Sequence, residues 1–293
     1  MPDHPRIEIL SETACELGEG PSYDPGADTL WWFDIIGRRM LEYRFADGSQ
    51  HIHELPVMAS AVAVVDDRRQ LLATELGLQL RDVDTGKLEL VAPIEADNEA
   101  TRSNDARVHP SGAFWIGTMG KKAERRAGSI YWYRGGETRL LFPEISITNS
   151  ICFSPAGDVA YYADTGRNIM FRVACDPETG LPAGEPSVLI DDRGTEGGID
   201  GSVCDADGNI WNARWGVSRL DVYDPSGRKT QSFDMPARQV SCPAFVGSNA
   251  DRIAVTSALQ DMSAEERAAD PQGGKTFVAD LPVRGRHEPR ARL

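Results

Sequence analysis

Four polar residues recur at one position of an internal repeat. Glu19, Asn104, Asn149 and Asp200 each stand five residues before the first residue of a turn. The turns are Asp24-Pro25-Gly26, His109-Pro110-Ser111-Gly112, Ser154-Pro155-Ala156-Gly157 and Asp205-Ala206-Asp207-Gly208. These are oxygen donors, two of them ionised, with no His or Cys among them, and such a set suits a hard divalent cation. A lone Asn or Asp ahead of a turn needs only turn chemistry to explain it. Four in register, with Glu among them, point to a shared site.

Hairpins must position them. An apolar, aromatic-rich run follows each turn: Leu30-Trp31-Trp32, Phe114-Trp115-Ile116, Val159-Ala160-Tyr161-Tyr162 and Ile210-Trp211. Another short run separates polar residue and turn, as in Ser150-Ile151-Cys152-Phe153 or Gly201-Ser202-Val203-Cys204. The polar residue therefore lies at one end of a strand–turn–strand unit, and radially arranged hairpins bring such ends to one axis. With Asp66 and Ser248 opening two further turns, the first turn residues are spaced by 42, 43, 45, 51 and 43. That period, with short strands punctuated by Gly, Pro and Asp, predicts an all-β, six-bladed β-propeller with four-stranded blades. Helical repeats would need apolar residues at 3.6 spacing over longer segments.

The repeats imply a single propeller domain over residues 1–293, the last repeat running to the C-terminus with nothing left over. Ile7-Glu8-Ile9-Leu10 alternates like an edge strand and is expected to close the last blade against Thr276-Phe277-Val278-Ala279, since an open edge invites aggregation. Counted back from Asp66 and Ser248, the two remaining slots hold Ala61 and Pro243. The cluster would then be lopsided, leaving coordination positions for water or substrate.

Composition narrows the function. A hydrophobic content of 41% reads as globular, and no apolar run approaches a membrane span. A formal net charge of −14 argues against nucleic acid or anionic membrane as partners, because phosphate binding needs a basic patch. The stretch from Met1 to Gly20 carries Asp3, Glu8, Glu12 and Glu16 without a signal-peptide apolar core. Five scattered cysteines (Cys15, Cys152, Cys175, Cys204, Cys242) without a paired C-x-x-C fit a reducing compartment, so the expected location is cytoplasmic. The histidines His4, His51, His53, His109 and His287 lack metal-ligand spacing, and His51 and His53 read as a solvated strand edge. Neither G-x-S-x-G nor H-E-x-x-H occurs.

The runs Leu17-Gly18-Glu19-Gly20-Pro21, Arg102-Ser103-Asn104-Asp105, Ile147-Thr148-Asn149-Ser150, Asp200-Gly201-Ser202 and Phe114-Trp115-Ile116-Gly117-Thr118-Met119 resemble the senescence-marker-protein-30 / gluconolactonase / regucalcin-like family. The resemblance covers nearly the whole chain. It implies a metal-dependent hydrolase that opens sugar lactones to sugar acids, with one divalent cation on the axis. It further implies Glu19, Asn149 and Asp200 as ligands, Asp200 also as base, and Arg102 with Asn104 as the substrate-binding pair. Asn104 would then reach the metal only through water or substrate. Ca²⁺ is the first expectation, with Mn²⁺, Zn²⁺ or Fe²⁺ as alternatives. The expected partner is a small-molecule lactone, and the expected state a monomer or weak homo-oligomer.

One segment departs from the family. Mammalian members carry acidic residues shortly after the Gly-Thr-Met, whereas here the loop reads Gly120-Lys121-Lys122-Ala123-Glu124-Arg125-Arg126. Lys121 and Lys122 make it a possible substrate loop for an acidic lactone, the alternative being a solvated surface loop. Two other functions fit the same pattern: a metal-dependent phosphotriesterase-like hydrolase, and a non-catalytic calcium-binding propeller.

Overall fold

Short β-branched and aromatic runs, each broken after a few residues by Gly, Pro or Asp, cannot build long helices. In the computed structural model, which describes Arg6–Leu293, they form six four-stranded antiparallel sheets in a ring, a six-bladed β-propeller. Asp3 and His4 lie outside the described residues. The first strand in sequence is β1 (Arg6–Ser11). Blade 1 is β2 (Gly18–Asp24), β3 (Thr29–Asp34), β4 (Arg39–Arg44) and β5 (Gln50–Glu54). Blade 2 is β6 (Ala59–Val64), β7 (Arg69–Thr74), β8 (Gly77–Asp82) and β9 (Leu88–Pro93). Blade 3 is β10 (Thr101–Val108), β11 (Phe114–Gly120), β12 (Gly128–Arg134) and β13 (Glu137–Ile145). Blade 4 is β14 (Thr148–Phe153), β15 (Val159–Asp164), β16 (Ile169–Ala174) and β17 (Ser187–Asp191). Blade 5 is β18 (Gly198–Cys204), β19 (Ile210–Trp215), β20 (Arg219–Tyr223) and β21 (Lys229–Asp234). Blade 6 combines β22 (Val240–Val246), β23 (Arg252–Ser257) and β24 (Thr276–Asp280) with β1, whose Ile7 faces Ala279 and Ile9 faces Phe277.

Burial follows the radial order. The innermost strands β2, β10, β14 and β22 are buried at every residue, whereas outermost β13 and β21 are mostly exposed. The apolar core sits between blades: Trp211 and Leu220 of blade 5 pack with Val255 and Phe277 of blade 6, and Leu71 of blade 2 packs with Phe114 of blade 3. That leaves the axis to polar groups.

Two segments lie outside the strand repeat, and the second, a tail after β24, corrects the expectation that nothing remains after the last repeat. Helix α1 (Ala264–Ala269), opened by a capping box between Ser263 and Glu266, is inserted between β23 and β24. After β24, residues 281–293 run across the end of the axis where the inner strands finish. Their backbone and Arg286 bond to Ala250 and Cys204, to Phe153 of blade 4, to Val64 of blade 2 and to Gly112 of blade 3. His287 binds the Gly247 carbonyl at 2.9 Å and packs on Tyr23 of blade 1. The tail thus touches all six blades. Rich in Arg and Pro, it has no alternating pattern that a repeat count could detect.

His53 is a second correction. Its Nε2 meets Glu42 at 2.8 Å and its Nδ1 lies 3.4 Å from Arg81, so it bridges two blades instead of facing water. All five cysteines are buried and unpaired. No described helix is long and apolar enough to cross a membrane.

Candidate active site

Every innermost strand carries a register shift near its start. It falls between Glu19 and Ser22, Ser103 and Ala106, Asn149 and Cys152, and Ile199 and Ser202. A bulge re-aims the side chains at the end of a strand, and the four slot residues sit at or within these bulges. The local sequence permits it. Gly20 has φ 55 and a Cβ there would fall 1.9 Å from the Ser60 carbonyl, so the residue after Glu19 must be glycine. Gly201, after Asp200, leaves room for Cys242, whose Sγ would lie 2.4 Å from an added Cβ. In blades 2 and 6 the shift closes at Ala61 and Pro243, and Ser60 and Ser241 fall inside it. Their hydroxyls bond within the wall, Ser60 with Ser103 at 2.8 Å and Ser241 to the Gly18 carbonyl at 2.5 Å.

Glu19, Arg102, Asn104, Asn149 and Asp200 meet in one cleft of ≈ 190 Å³ that opens to solvent. All five are buried, Glu19 to 5% exposure and Asp200 to 4%. Arg102 Nη1 donates to Asn104 Oδ1 at 2.7 Å. Asn104 Nδ2 donates to the Thr148 carbonyl at 2.8 Å and to Asn149 Oδ1 at 3.0 Å. Asn149 Nδ2 donates to Thr165 Oγ1, which donates to the Ile199 carbonyl. This relay spans blades 3, 4 and 5. It fixes both amides so that Asn149 keeps one oxygen lone pair, while Asn104 is held between two neighbours.

The electrostatics are unusual. Burial and then the charge of Asp105 push the Glu19 carboxyl up to about 8. Burial and then the charge of Glu19 push Asp200 well above the usual carboxylate range. Burial lowers Arg102 to about 10, against the pull of Glu19 and Asp200. Glu19 Oε2 accepts from the Gly20 amide at 3.0 Å. Neither carboxylate is in salt-bridge contact with a cation of the chain among the described residues. Two deeply buried carboxylates that raise one another need an added positive charge to stay ionised. With Asn149 they make an all-oxygen donor set that fits a hard divalent cation. No group of three His, Cys, Asp or Glu side chains that could hold a metal ion occurs among the described residues.

The possible substrate loop touches the cleft through Ala123. Lys121 is turned to Glu75, 2.6 Å away, and Arg126 pairs with Glu144. Neither Lys121 nor Lys122 lines the cleft. Sequence reasoning missed Thr165, Trp215, Gln260 and Asp261, all of which line it, together with the apolar Leu17, Met119 and Ile147. The signal was present: second strands run antiparallel to the first, so their C-terminal ends, at Asp164-Thr165 and Arg214-Trp215, return to the axial slot.

Deeper along β10, Asp105 and Arg107 point toward the tail-covered end. Asp105 Oδ2 accepts from the Ile151 amide, and burial raises its carboxyl to about 6. Arg107 pairs with Glu288 of the tail. Burial opposes its charge, yet Glu288, Cys242 and Asp105 outweigh burial and the net shift is upward.

A sequence model described as "SMP-30/Gluconolactonase/LRE-like region" matches residues 17–259. A relative from Rhizobium meliloti (strain 1021), named as a sugar lactone lactonase, is 52% identical over 97% of this chain and 96% of its own. An L-arabinolactonase from Azospirillum brasilense is 35% identical over 94% of this chain and 93% of its own. Among solved structures, a calcium-binding protein, regucalcin, from Agrobacterium tumefaciens str. C58 superposes with a TM-score of 0.97 at 49% identity, covering 99% and 98% of the two chains.

Proposed function

Because this chain belongs to the SMP-30/gluconolactonase/LRE-like family, we propose that it opens a sugar lactone to the sugar acid with the help of a divalent cation held by Glu19, Asn149 and Asp200. That it is a lactonase rests on relatives of that activity matched over almost the whole chain. The observation that carries the metal reading is the pair of buried carboxylates, Glu19 and Asp200, which line an open cleft and have no salt-bridge contact among the described residues. Ca²⁺ is the ion of choice, supported by the oxygen-only donors and by the calcium-binding neighbour.

The cation would neutralise both carboxylates and polarise the lactone carbonyl. Asp200, once ionised, takes the proton of the attacking water as the tetrahedral centre forms. Arg102 faces the same cleft with a charged donor and stabilises the oxyanion, an effect of about 3 kcal/mol for one well-placed group. The ring C–O bond then breaks, and the proton held by Asp200 passes to the departing ring oxygen. Asn104 keeps Arg102 oriented through the 2.7 Å bond. Leu17, Met119 and Ile147 limit competing water around the reacting carbonyl.

The test is hydrolysis of glucono-, arabino-, xylono-, galactono- and aldaro-lactones by chelated protein resupplied with Ca²⁺, Mn²⁺, Zn²⁺ or Fe²⁺, beside a phosphotriester. Lactone turnover that vanishes with chelator and returns with one of these ions is expected. Lactone turnover unaffected by chelation overturns the metal assignment. Phosphotriester turnover alone, or no turnover of any substrate, overturns the lactone assignment.

A further inference from the structure

One wall of the cleft has no part in bond cleavage as derived above. Gln260 and Asp261 follow β23 and line the cleft beside Trp215, the last residue of β19. Their loop is held firmly. Leu259 N donates to the Glu16 carbonyl at 3.0 Å and Met262 N to the Leu259 carbonyl at 3.2 Å. Gln239 Nε2 donates to the Gln260 carbonyl at 3.0 Å and the Ala258 carbonyl at 3.3 Å. On its far side Ser263 caps α1. Asp261 itself sits at φ 59, a left-handed conformation that Asp tolerates better than most residues.

The loop's backbone contacts make it rigid, and neither the Gln260 nor the Asp261 side chain, both of residues lining the cleft, has a hydrogen bond or ion pair among the described residues. With Glu19 and Asp200 answered by a bound cation, the ionisable groups left lining the cleft among the described residues are Asp261 and Arg102. An anionic group beside Asp261 meets its repulsion, while hydroxyl groups find a charged acceptor in Asp261 and both a donor and an acceptor in Gln260. The Trp215 indole offers a flat apolar face for the C–H side of a sugar ring.

We propose that Gln260, Asp261 and Trp215 form the specificity wall, reading the hydroxyls of a neutral polyhydroxylated lactone and disfavouring acidic ones. The inference rests on the lactonase reading and adds the substrate class and the residues that select it. It also replaces the basic loop as the source of charge selectivity.

The experiment compares kcat and KM on δ-gluconolactone, on δ-valerolactone (the same ring without hydroxyls) and on an aldaric lactone. Wild type is set against Asp261→Gly, Asp261→Asn and Gln260→Ala. Glycine and asparagine both accept the left-handed backbone, so neither should unfold the loop. In Asp261→Gly the ratio of kcat/KM for gluconolactone over valerolactone should fall about 10- to 100-fold, mainly through KM, as for a lost charge-assisted hydrogen bond. Asp261→Asn, keeping an acceptor but not the charge, should lose less on gluconolactone and should narrow the preference for gluconolactone over the aldaric lactone. An active enzyme whose ratios move by less than about 3-fold in all three variants overturns the specificity wall alone. A wild type that opens none of the three overturns the lactonase reading on which it stands.

Discussion

At the tail-covered end of the axis Arg107 is buried to 5% exposure, and the chain brings Glu288 back from its last residues to pair with it. At the cleft end Glu19 and Asp200 are buried as deeply, and among the described residues no cation is in bonding contact with either. The two ends are built from the same inner strands, a few residues apart on β10. One end completes its charge balance internally and closes. The other leaves the balance open beside solvent, which is the arrangement expected of a site that borrows its positive charge from a bound ion.

Asp200→Asn attacks the open end and should have the largest effect. Loss of the proposed base and of one cation donor should reduce kcat/KM by roughly 10³-fold or more while the far-UV and near-UV spectra stay native. Full activity in this variant would remove Asp200 from the chemistry.

Glu288→Gln attacks the closed end, and there the comparison predicts a defect of stability instead. It strands a buried guanidinium, at a cost of about 3 kcal/mol. The melting temperature should drop by several degrees, with kcat/KM kept within a few-fold of wild type. A reversed pattern, lost activity with unchanged melting, would mean that the tail end belongs to the catalytic apparatus.

The pH dependence of melting sharpens the contrast. In metal-free protein Glu19 is raised from 4.5 to about 8 and Asp200 is raised as well. The folded state therefore holds protons that the unfolded chain has released. Their contribution to stability is fully present below about pH 4.5 and is lost as pH rises through about 8. Chelated protein should thus lose more melting temperature between pH 5.5 and 8.5 than protein in Ca²⁺. Equal losses would show that the carboxylates do not hold the ion. Asp105, raised to about 6, has the same sign and adds to the loss in chelated protein.

Lys121→Ala should do least. The Lys121–Glu75 pair is partly exposed, and such pairs contribute about 0–1 kcal/mol. The ratio of kcat/KM between acidic and neutral lactones should not change. A selective loss on acidic lactones would restore the basic loop as a recognition element.

The blades and the axial slot were legible because both obey a period. A residue five positions before a turn keeps its place from blade to blade, so Glu19, Asn104, Asn149 and Asp200 could be gathered without coordinates. The same count places Ala61 and Pro243 in blades 2 and 6, where the register shift draws Ser60 and Ser241 into the irregular stretch. Segments outside the period were invisible. The tail and α1 have no partner repeat, and Gln260 and Asp261 reach the cleft from an inter-strand insertion. His53 misled for a different reason: alternation tells which face a side chain takes, but an acid on the next strand and an arginine on the next blade decide whether that face is wet. The basic run at Lys121 likewise showed charge without showing that Glu75 answers it.

Pairing of β1 with β24 joins the beginning of the chain to its end within one blade, and this orders events during synthesis. Five blades can form as the ribosome delivers them, each from contiguous sequence. Blade 6 cannot, because β24 emerges last and β1 has been waiting since the start. Until β24 emerges, β1 carries an unpaired edge beside a growing arc, a period of exposure to wrong partners that grows with the time of translation. The polar and charged residues Arg6, Glu8 and Ser11 on that strand act against such mispairing. A circular permutant opened at an outer loop of blade 3 would move the exposed interval to another edge, and its yield would report how far β1 has been adapted to wait.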